Sequence, residues 1–422
     1  LSVYHYGFYQ LILSAAAIAG SISSGIFDDI IPNELVRQTA QGETSRAKRL
    51  SLENFALIAV LGFAAGALLF GAADAVAVWY DSDIGGYLRL MSALVVINAL
   101  RSAVNLLFRV TLTFATFGAG ALQEAIRLVA LAALWQAGHL GLGEVLMVSV
   151  AASAAVLIYV LVVGLGEYRR AFGAVRALSE PVLKGIVIRY GRWAITRYGF
   201  SKIFKQMDTW FVRVFLGTEA VGLYGLAVNL LTLAQSLFPM RMFANLIPWE
   251  VDNERRMAFL YRRAVKYIVW FSLAVIAAGL AVVPPLIVAF LPKYRPALPL
   301  FAALLITLPL YGVYKLQKTT LVALREQKAL TVRVLTETLV TAAVWAVTLP
   351  LIGLYGMVVE FFVTYGGRVI FFSYILNRRH PHLRLKTSHF FGVDGEDRAF
   401  FARACRELIN PMRWLESIRV RR

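Results

Sequence analysis

Eleven times along this chain, about 20 residues in a row are apolar enough to cross the hydrocarbon core of a bilayer. Few features constrain a fold more. Inside lipid every backbone N–H and C=O must be satisfied by the protein itself, which leaves helices or closed barrels, and runs of this length are helices. Hydropathy predicts helices over 8–31, 54–79, 87–110, 117–137, 143–167, 187–216, 220–248, 264–290, 298–324, 329–350 and 354–377. The expected fold class is therefore an all-α polytopic membrane protein. Only 16% of the residues are charged, against about 25% in soluble chains.

The formal charge of +18 raises the question of nucleic acid, but its placement answers it. The connections 37–49, 169–192, 255–266 and 325–333 carry four, six, five and three Lys/Arg. Those at 80–87, 136–144, 217–221 and 351–356 carry none, and 291–297 carries two. This alternation follows the positive-inside rule, so the basic loops are expected in the cytoplasm and residue 1 outside. No nucleic-acid partner is expected. With Cys405 the lone cysteine, an internal disulfide and a CxxC metal site are excluded. No phosphate-binding loop, GxSxG or HExxH motif occurs, so no catalytic residue, cofactor or metal is assigned and the chain is read as not an enzyme. The histidines at 380, 382 and 389 lie together in the tail, but without Cys or carboxylate company they are read as incidental. Asp28 and Asp29, just before Pro32, are read as a helix end; adjacent residues on a helix point about 100° apart and form no dyad.

Charge inside the spans is more informative, because a charged group at the centre of a helix costs at least about 2.5–3.5 kcal/mol. Lys202, Lys205 and Asp208 stand three residues apart in 187–216 and share one face. Asp208 can neutralise one lysine and leaves the other to a water-filled cavity or an anionic ligand. Arg101, Lys315 and Arg241 join these three as candidate substrate-binding residues. Glu124 and Arg127 are spaced to pair with each other, whereas Arg241, Lys318 and Arg368 are near enough to span ends to snorkel. Two or more deep cations suit a phosphorylated ligand, held by charge-assisted hydrogen bonds. In a bilayer that suggests a lipid phosphate or diphosphate. Asp208 and Glu124 are the candidate carriers of a coupling proton or sodium ion. Gly191, Gly199 and Pro239 are places where helices are expected to bend.

The sequence also resembles itself. Gly7-Phe8-Tyr9 matches Gly222-Leu223-Tyr224, and Ala64-Ala65-Gly66 matches Ala277-Ala278-Gly279. The run from Leu88 matches that from Leu298, Glu124 matches Glu337, and Gly141-Leu142-Gly143 matches Gly353-Leu354-Tyr355. All five fall at offsets of 210–215 in the same order, the mark of an internal repeat. An even number of helices separates the copies, so they share one orientation, an arrangement known in secondary transporters. Helix 187–216 then lacks a counterpart before residue 8. A further helix of roughly 30 residues is expected upstream by the repeat spacing, giving twelve with both termini cytoplasmic. The expected domains are a lobe at 1–168, a cytoplasmic loop at 169–186, a second lobe at 187–377 and a basic tail at 378–422. Eleven Lys/Arg in that tail suit anionic lipid headgroups, at about 1 kcal/mol each.

The run Met207-Asp208-Thr209-Trp210-Phe211-Val212-Arg213, followed by Phe215-Leu216-Gly217 and Ala220-Val221-Gly222-Leu223-Tyr224, resembles the seventh and eighth helices of polysaccharide biosynthesis (O-antigen) flippases. The opening His5-Tyr6-Gly7-Phe8-Tyr9 resembles the start of their second helix. These flippases belong to the multidrug/oligosaccharidyl-lipid/polysaccharide (MOP) exporter superfamily. The resemblance implies two pseudo-symmetric six-helix lobes in a MATE-like V that alternates between inward-open and outward-open states. It implies movement of an undecaprenyl-diphosphate-linked oligosaccharide across the bacterial inner membrane for O-antigen or another surface polysaccharide. Lipid-linked oligosaccharide and membrane lipids are the expected partners, with a polysaccharide polymerase and a chain-length regulator as further ones. Cationic cavities typify this branch, and Asp208 alone is carried over by position. The alternatives weighed are a multidrug/cation antiporter of the same fold, a membrane-embedded polymerase or glycosyltransferase, and a non-transporting scaffold. The deep charges are mostly basic, against the first; every predicted outside loop is short, against the second; and a scaffold needs no buried lysines.

Overall fold

Apolar residues recurring every three to four positions make each helix bury one stripe, and the first helix shows the pattern. In α1 (Val3–Ser24) the buried positions include Phe8, Leu11, Ile12, Ala15, Ala16 and Ala19. The computed structural model describes residues 2–24, 30–80, 84–110, 115–186, 188, 204, 206–240, 243, 247, 253–324, 326–385 and 395. The helices continue with α2 (Ile30–Ala40), α3 (Thr44–Tyr80), α4 (Gly85–Val110), α5 (Ala115–Gln136), α6 (Leu142–Phe172) and the short α7 (Leu183–Ile186). A helix over 206–216, α8, leads into α9 (Thr218–Ser236). Then come α10 (Glu254–Phe290), α11 (Ala297–Leu305), α12 (Leu308–Ala323), α13 (Gln327–Ile352) and α14 (Tyr355–Arg379). Six described helices are long and apolar enough to cross a membrane, and a seventh if α11 and α12 form one broken span. Large apolar side chains such as Val60, Phe63, Leu68, Ile158, Val162 and Ile370 stand exposed on them. Water would make such surfaces aggregate; lipid is the solvent they fit. The chain is a multi-pass, all-helical membrane protein.

Several helices outrun the spans read from hydropathy. α3 begins at Thr44 and α10 at Glu254, inside stretches read as connections, because Arg, Lys and Glu continue a helix readily once it leaves the lipid. The span read over 220–248 ends as a helix at Ser236, three residues before Pro239. Pro239 therefore marks a break between helices, not a bend within one.

Contacts group the described chain into two compact units. The first comprises Leu1–Leu233, Leu280–Ile306 and Lys328–Thr364, the second Ala234–Gly279, Thr307–Gln327 and Tyr365–Arg422. In the first unit α3 packs along α4, α4 along α6, and α1 against both α3 and α4. The connection after α6 is fastened to the start of α3. Lys48 Nζ donates to the carbonyls of Phe172 and Val175 at 2.8 and 2.7 Å, where a cation meets the exposed acceptors of a helix C-terminus. Glu53 accepts from Arg49 Nε at 2.7 Å and from the backbone N–H groups of Val182 and Leu183 at 3.1 and 2.7 Å. In the second unit the Phe238 ring meets Phe271 and Tyr311 edge-on, at 5.3 and 5.9 Å between centroids.

The order of elements repeats as the sequence does. α3 and α10 are both 37 residues long and start at Thr44 and Glu254, an offset of 210. α1 and α9 start at Val3 and Thr218, an offset of 215. Gly138 and Gly353, also 215 apart, both take left-handed backbone just beyond a helix end, with φ of 74° and 61°. Such a residue closes a helix, and glycine takes that conformation without strain. Gly138, rather than the Gly141 paired by sequence, is thus the conformational counterpart of Gly353.

The two copies meet at the crossing of α1 and α9, within the first unit. A Cβ added at Gly7 would lie 2.0 Å from the Thr218 carbonyl oxygen, and one at Gly222 would lie 2.2 Å from that of Val3. Val3 corresponds to Thr218 and Gly7 to Gly222, so each glycine touches the counterpart of the residue four before itself. Gln10 and Gly225, again 215 apart, also touch: a Cβ on Gly225 would fall 2.6 Å from Gln10 Cγ. Only glycine lets two helix backbones come this close.

Candidate functional site

In the first unit a polar stripe runs through apolar helices. Arg101 sits on α4, within a stretch long and apolar enough to cross a membrane. Its side chain is half-buried, and its Nη1 donates to Gln123 Oε1 of α5. Gln123 Nε2 donates in turn to Ser153 Oγ of α6 at 3.0 Å, and that hydroxyl donates to the Ser149 carbonyl at 2.8 Å. Among the described residues no carboxylate pairs with Arg101. One turn beyond Gln123, Arg127 Nη2 donates to Tyr9 Oη at 2.9 Å. Arg127 also lies 3.6 Å from Glu124, as their three-residue spacing predicts, while the Glu124 side chain keeps 62% of its surface exposed.

Asp208 is held between α8 and α9. Tyr224 Oη donates to its Oδ2 at 2.7 Å, and the Thr209 N–H and hydroxyl donate to Oδ1 at 2.6 and 3.1 Å. Close by, Trp210 Nε1 donates to Ser14 Oγ at 3.0 Å, and Ser14 donates to the Gln206 carbonyl at 2.9 Å, which ties α8 to α1. Tyr9 and Tyr224 are repeat counterparts, and each phenol serves a charge: one accepts from a guanidinium, the other donates to a carboxylate.

The second unit holds a cage of tyrosines around two cations. Lys315 Nζ lies 5.5 Å from the Tyr311 ring centroid and 5.8 Å from that of Tyr314. The Arg368 guanidinium lies 4.6 Å from Tyr314 and 5.3 Å from Tyr365, and these two rings stack at 5.3 Å. Gln235 Nε2 donates to Tyr365 Oη at 3.2 Å. Each ring face stabilises a cation by about 0.5–2 kcal/mol and leaves its N–H groups able to donate. No described carboxylate pairs with Lys315.

Of the candidate binding and coupling residues read from sequence, Arg101, Glu124, Asp208 and Lys315 have described surroundings. Lys202, Lys205 and Arg241 lie outside the described residues, as do Asp28, Asp29, Gly191, Gly199 and His389. Asp208 and Glu124 are not brought together by any described contact: each has its own tyrosine-anchored network. Sequence reading missed Gln123, Ser153 and the tyrosine cage. A signal for the cage existed in Tyr311, Tyr314 and Lys315, where two rings and a cation fall on adjoining turns. Among the described residues no three His, Cys, Asp or Glu side chains gather as a metal site.

The helical fold is similar to that of solved MOP-superfamily transporters. A multidrug resistance MATE family transporter in its inward-facing conformation superposes with a TM-score of 0.69 at 13% identity, over 90% of this chain and 92% of that one. The lipid II flippase MurJ, in an inward closed conformation, does so with a TM-score of 0.63 at 10% identity, over 89% and 85%. A MOP superfamily transporter from Pyrococcus furiosus, described as having a binding pocket of reversed polarity, gives 0.56 at 15% identity, over 89% and 87%. No protein-family model and no curated protein matches the chain.

Proposed function

We propose that the protein is a flippase that carries an undecaprenyl-diphosphate-linked oligosaccharide across the bacterial inner membrane, for O-antigen or another surface polysaccharide. The observation that carries this reading is Arg101: a cation inside a candidate span, oriented by an amide relay and by no described carboxylate. Burying a charge is costly unless an opposite charge or water answers it, and a diphosphate answers two or more such cations at once. Lys315 in its tyrosine cage repeats the theme in the second unit. The exposed Glu124 supports a water-filled space beside the polar stripe, since lipid would exact a high cost for it. The likeness in fold to a lipid II flippase fits a lipid-linked cargo.

In this reading the lobes 1–168 and 187–377 alternate access to the cargo, and Lys202, Lys205 and Arg241 add to the cationic wall. Asp208 and Glu124 serve the coupling ion, and both termini of the intact protein lie in the cytoplasm. The test is Arg101→Gln with Lys315→Gln in the full-length protein, after membrane insertion is confirmed. Reconstituted vesicles are loaded with a polyprenyl-diphosphate saccharide, and its arrival in the opposite leaflet is measured. We expect at least a tenfold drop in flipping, the effect of about 1.4 kcal/mol of lost binding. Unchanged flipping refutes the assigned site. A wild-type protein that moves cationic drugs but no lipid-linked saccharide refutes the function.

A further inference from the structure

The second unit holds a partly open cavity of about 370 Å³ that the proposed transport does not use. Three helices line it over equal lengths: Tyr261 to Val269 on α10, Pro309 to Gln317 on α12, and Val369 to Asn377 on α14. Each run covers nine residues, about 12 Å of helix axis. α10 runs opposite to the other two, so Tyr261, Gln317, Ser373 and Asn377 all gather at one end. Val269, Leu310, Val313 and Val369 line the rest. The cavity is amphipathic along its length.

Gln317 stands at the polar end with no surface exposed. Its Nε2 donates to Ser373 Oγ at 2.8 Å, but its Oε1 has no hydrogen-bond partner among the described residues. A buried acceptor left unmet is costly, so this end is built for an occupant that donates a hydrogen bond. Around it the charge is basic. Arg262 follows Tyr261 and donates to the His382 carbonyl at 2.9 Å; Arg378 and Arg379 follow Asn377; Arg384 adjoins the lining residues Leu383 and Leu385. Glu326, which pairs with Arg379, and Glu254, 3.8 Å from His382, are the acidic groups there. Water suits the polar end alone, because an apolar cavity of this kind stays dry. The volume is that of a small-molecule site, mostly apolar with a few placed polar groups.

We propose that this cavity holds one acyl chain of an anionic glycerophospholipid of the surrounding bilayer. A headgroup hydroxyl donates to Gln317 Oε1 while the phosphate lies among Arg378, Arg384 and Arg262. The tail runs past Val313 and Val369 and leaves by the half-buried Pro309 and Leu310.

The test uses the full-length protein in detergent and native mass spectrometry, with phosphatidylglycerol and phosphatidylcholine of identical tails as probes. The expected result is one phosphatidylglycerol retained at least tenfold more tightly than phosphatidylcholine. Val313→Phe and Val369→Phe, which fill the apolar end, should abolish that retention. Arg378→Gln with Arg384→Gln should erase the preference between the two lipids. Equal retention of both lipids by the wild type overturns the proposal, as does retention by both Phe variants. Displacement by glycerol 3-phosphate as effective as by the lipid also overturns it, because the tail would then contribute nothing. Should either Phe variant fail to fold, Leu310→Trp supplies a second reading. One equivalent of phosphatidylglycerol with brominated tails should quench the added tryptophan, and absence of quenching overturns the proposal.

Discussion

Replacing Gly7 with Ala tests the crossing of α1 and α9 directly. The new Cβ would lie 2.0 Å from the Thr218 carbonyl oxygen, where ordinary contact begins near 3.4 Å, so the helices must part by about 1.4 Å. Gly222→Ala, at 2.2 Å from the Val3 carbonyl, demands about 1.2 Å of the same displacement. Overpacking of this kind costs about 1–3 kcal/mol. Alanine returns up to about 1 kcal/mol through its better helix propensity, which leaves a net loss on the order of 1 kcal/mol for each variant. Because one separation relieves both clashes, the double variant should cost little more than either single change, well short of their sum. Gly20 lies on the same helix with open space around its Cβ position, so Gly20→Ala should be neutral or stabilising. Unfolding titrations of the four variants in mixed detergent micelles give the comparison. A Gly7→Ala protein as stable as Gly20→Ala, or strict additivity in the double variant, would refute the reasoning.

Further outcomes follow from single contacts. Tyr224→Phe removes the donor 2.7 Å from Asp208 Oδ2; a hydrogen bond to a charged group is worth about 1.5–3 kcal/mol, and the same titration should register a loss in that range. Arg101→Lys keeps the charge but not the planar fork that engages Gln123, so flipping should fall while insertion and yield stay at wild-type levels. Glu34 on α2 accepts hydrogen bonds from Arg37 and Gln38, and chiefly the Arg37 bonds hold its carboxyl below the usual carboxylate range. A lowered folded-state value means that its contribution is complete above the unfolded pKa of about 4.3 and is lost as pH falls through the folded value. Glu34→Gln should therefore lower stability at neutral pH, flatten the acid limb of the profile, and leave stability below the folded value nearly unchanged.

Sequence made the helical class plain because bilayer thickness sets a length that hydropathy can count. Helix ends were harder. The charged starts of α3 and α10 continue the helix without any apolar signal, and the break before α12 falls inside a run that is apolar throughout. The repeat was legible in Gly7 and Gly222 because a backbone contact tolerates no other side chain there. At Gly141 the pairing fits the helix starts at Leu142 and Tyr355, 213 apart, while the left-handed backbone of Gly353 is matched at Gly138. Arg101 stood out as a deep charge, but its partner Gln123 lies 22 residues away and its role depends on how α4 meets α5. The tyrosine cage stayed hidden because Tyr311 and Tyr314 stand on α12 while Tyr365 and Arg368 stand on α14, and only the packing of these two helices joins them.

The crossing of α1 and α9 has the logic of a homodimer. In an isologous interface one patch meets its own copy, so any substitution is felt twice and must suit itself. Here the two copies are joined in a single chain and encoded separately, so each is free to change, yet the contact still compares them. A side chain gained at Gly7 needs an answering retreat on the Gly222 side, and a retreat on either side loosens both. The halves of this chain can therefore diverge in what they bind while remaining bound to a common standard where they touch.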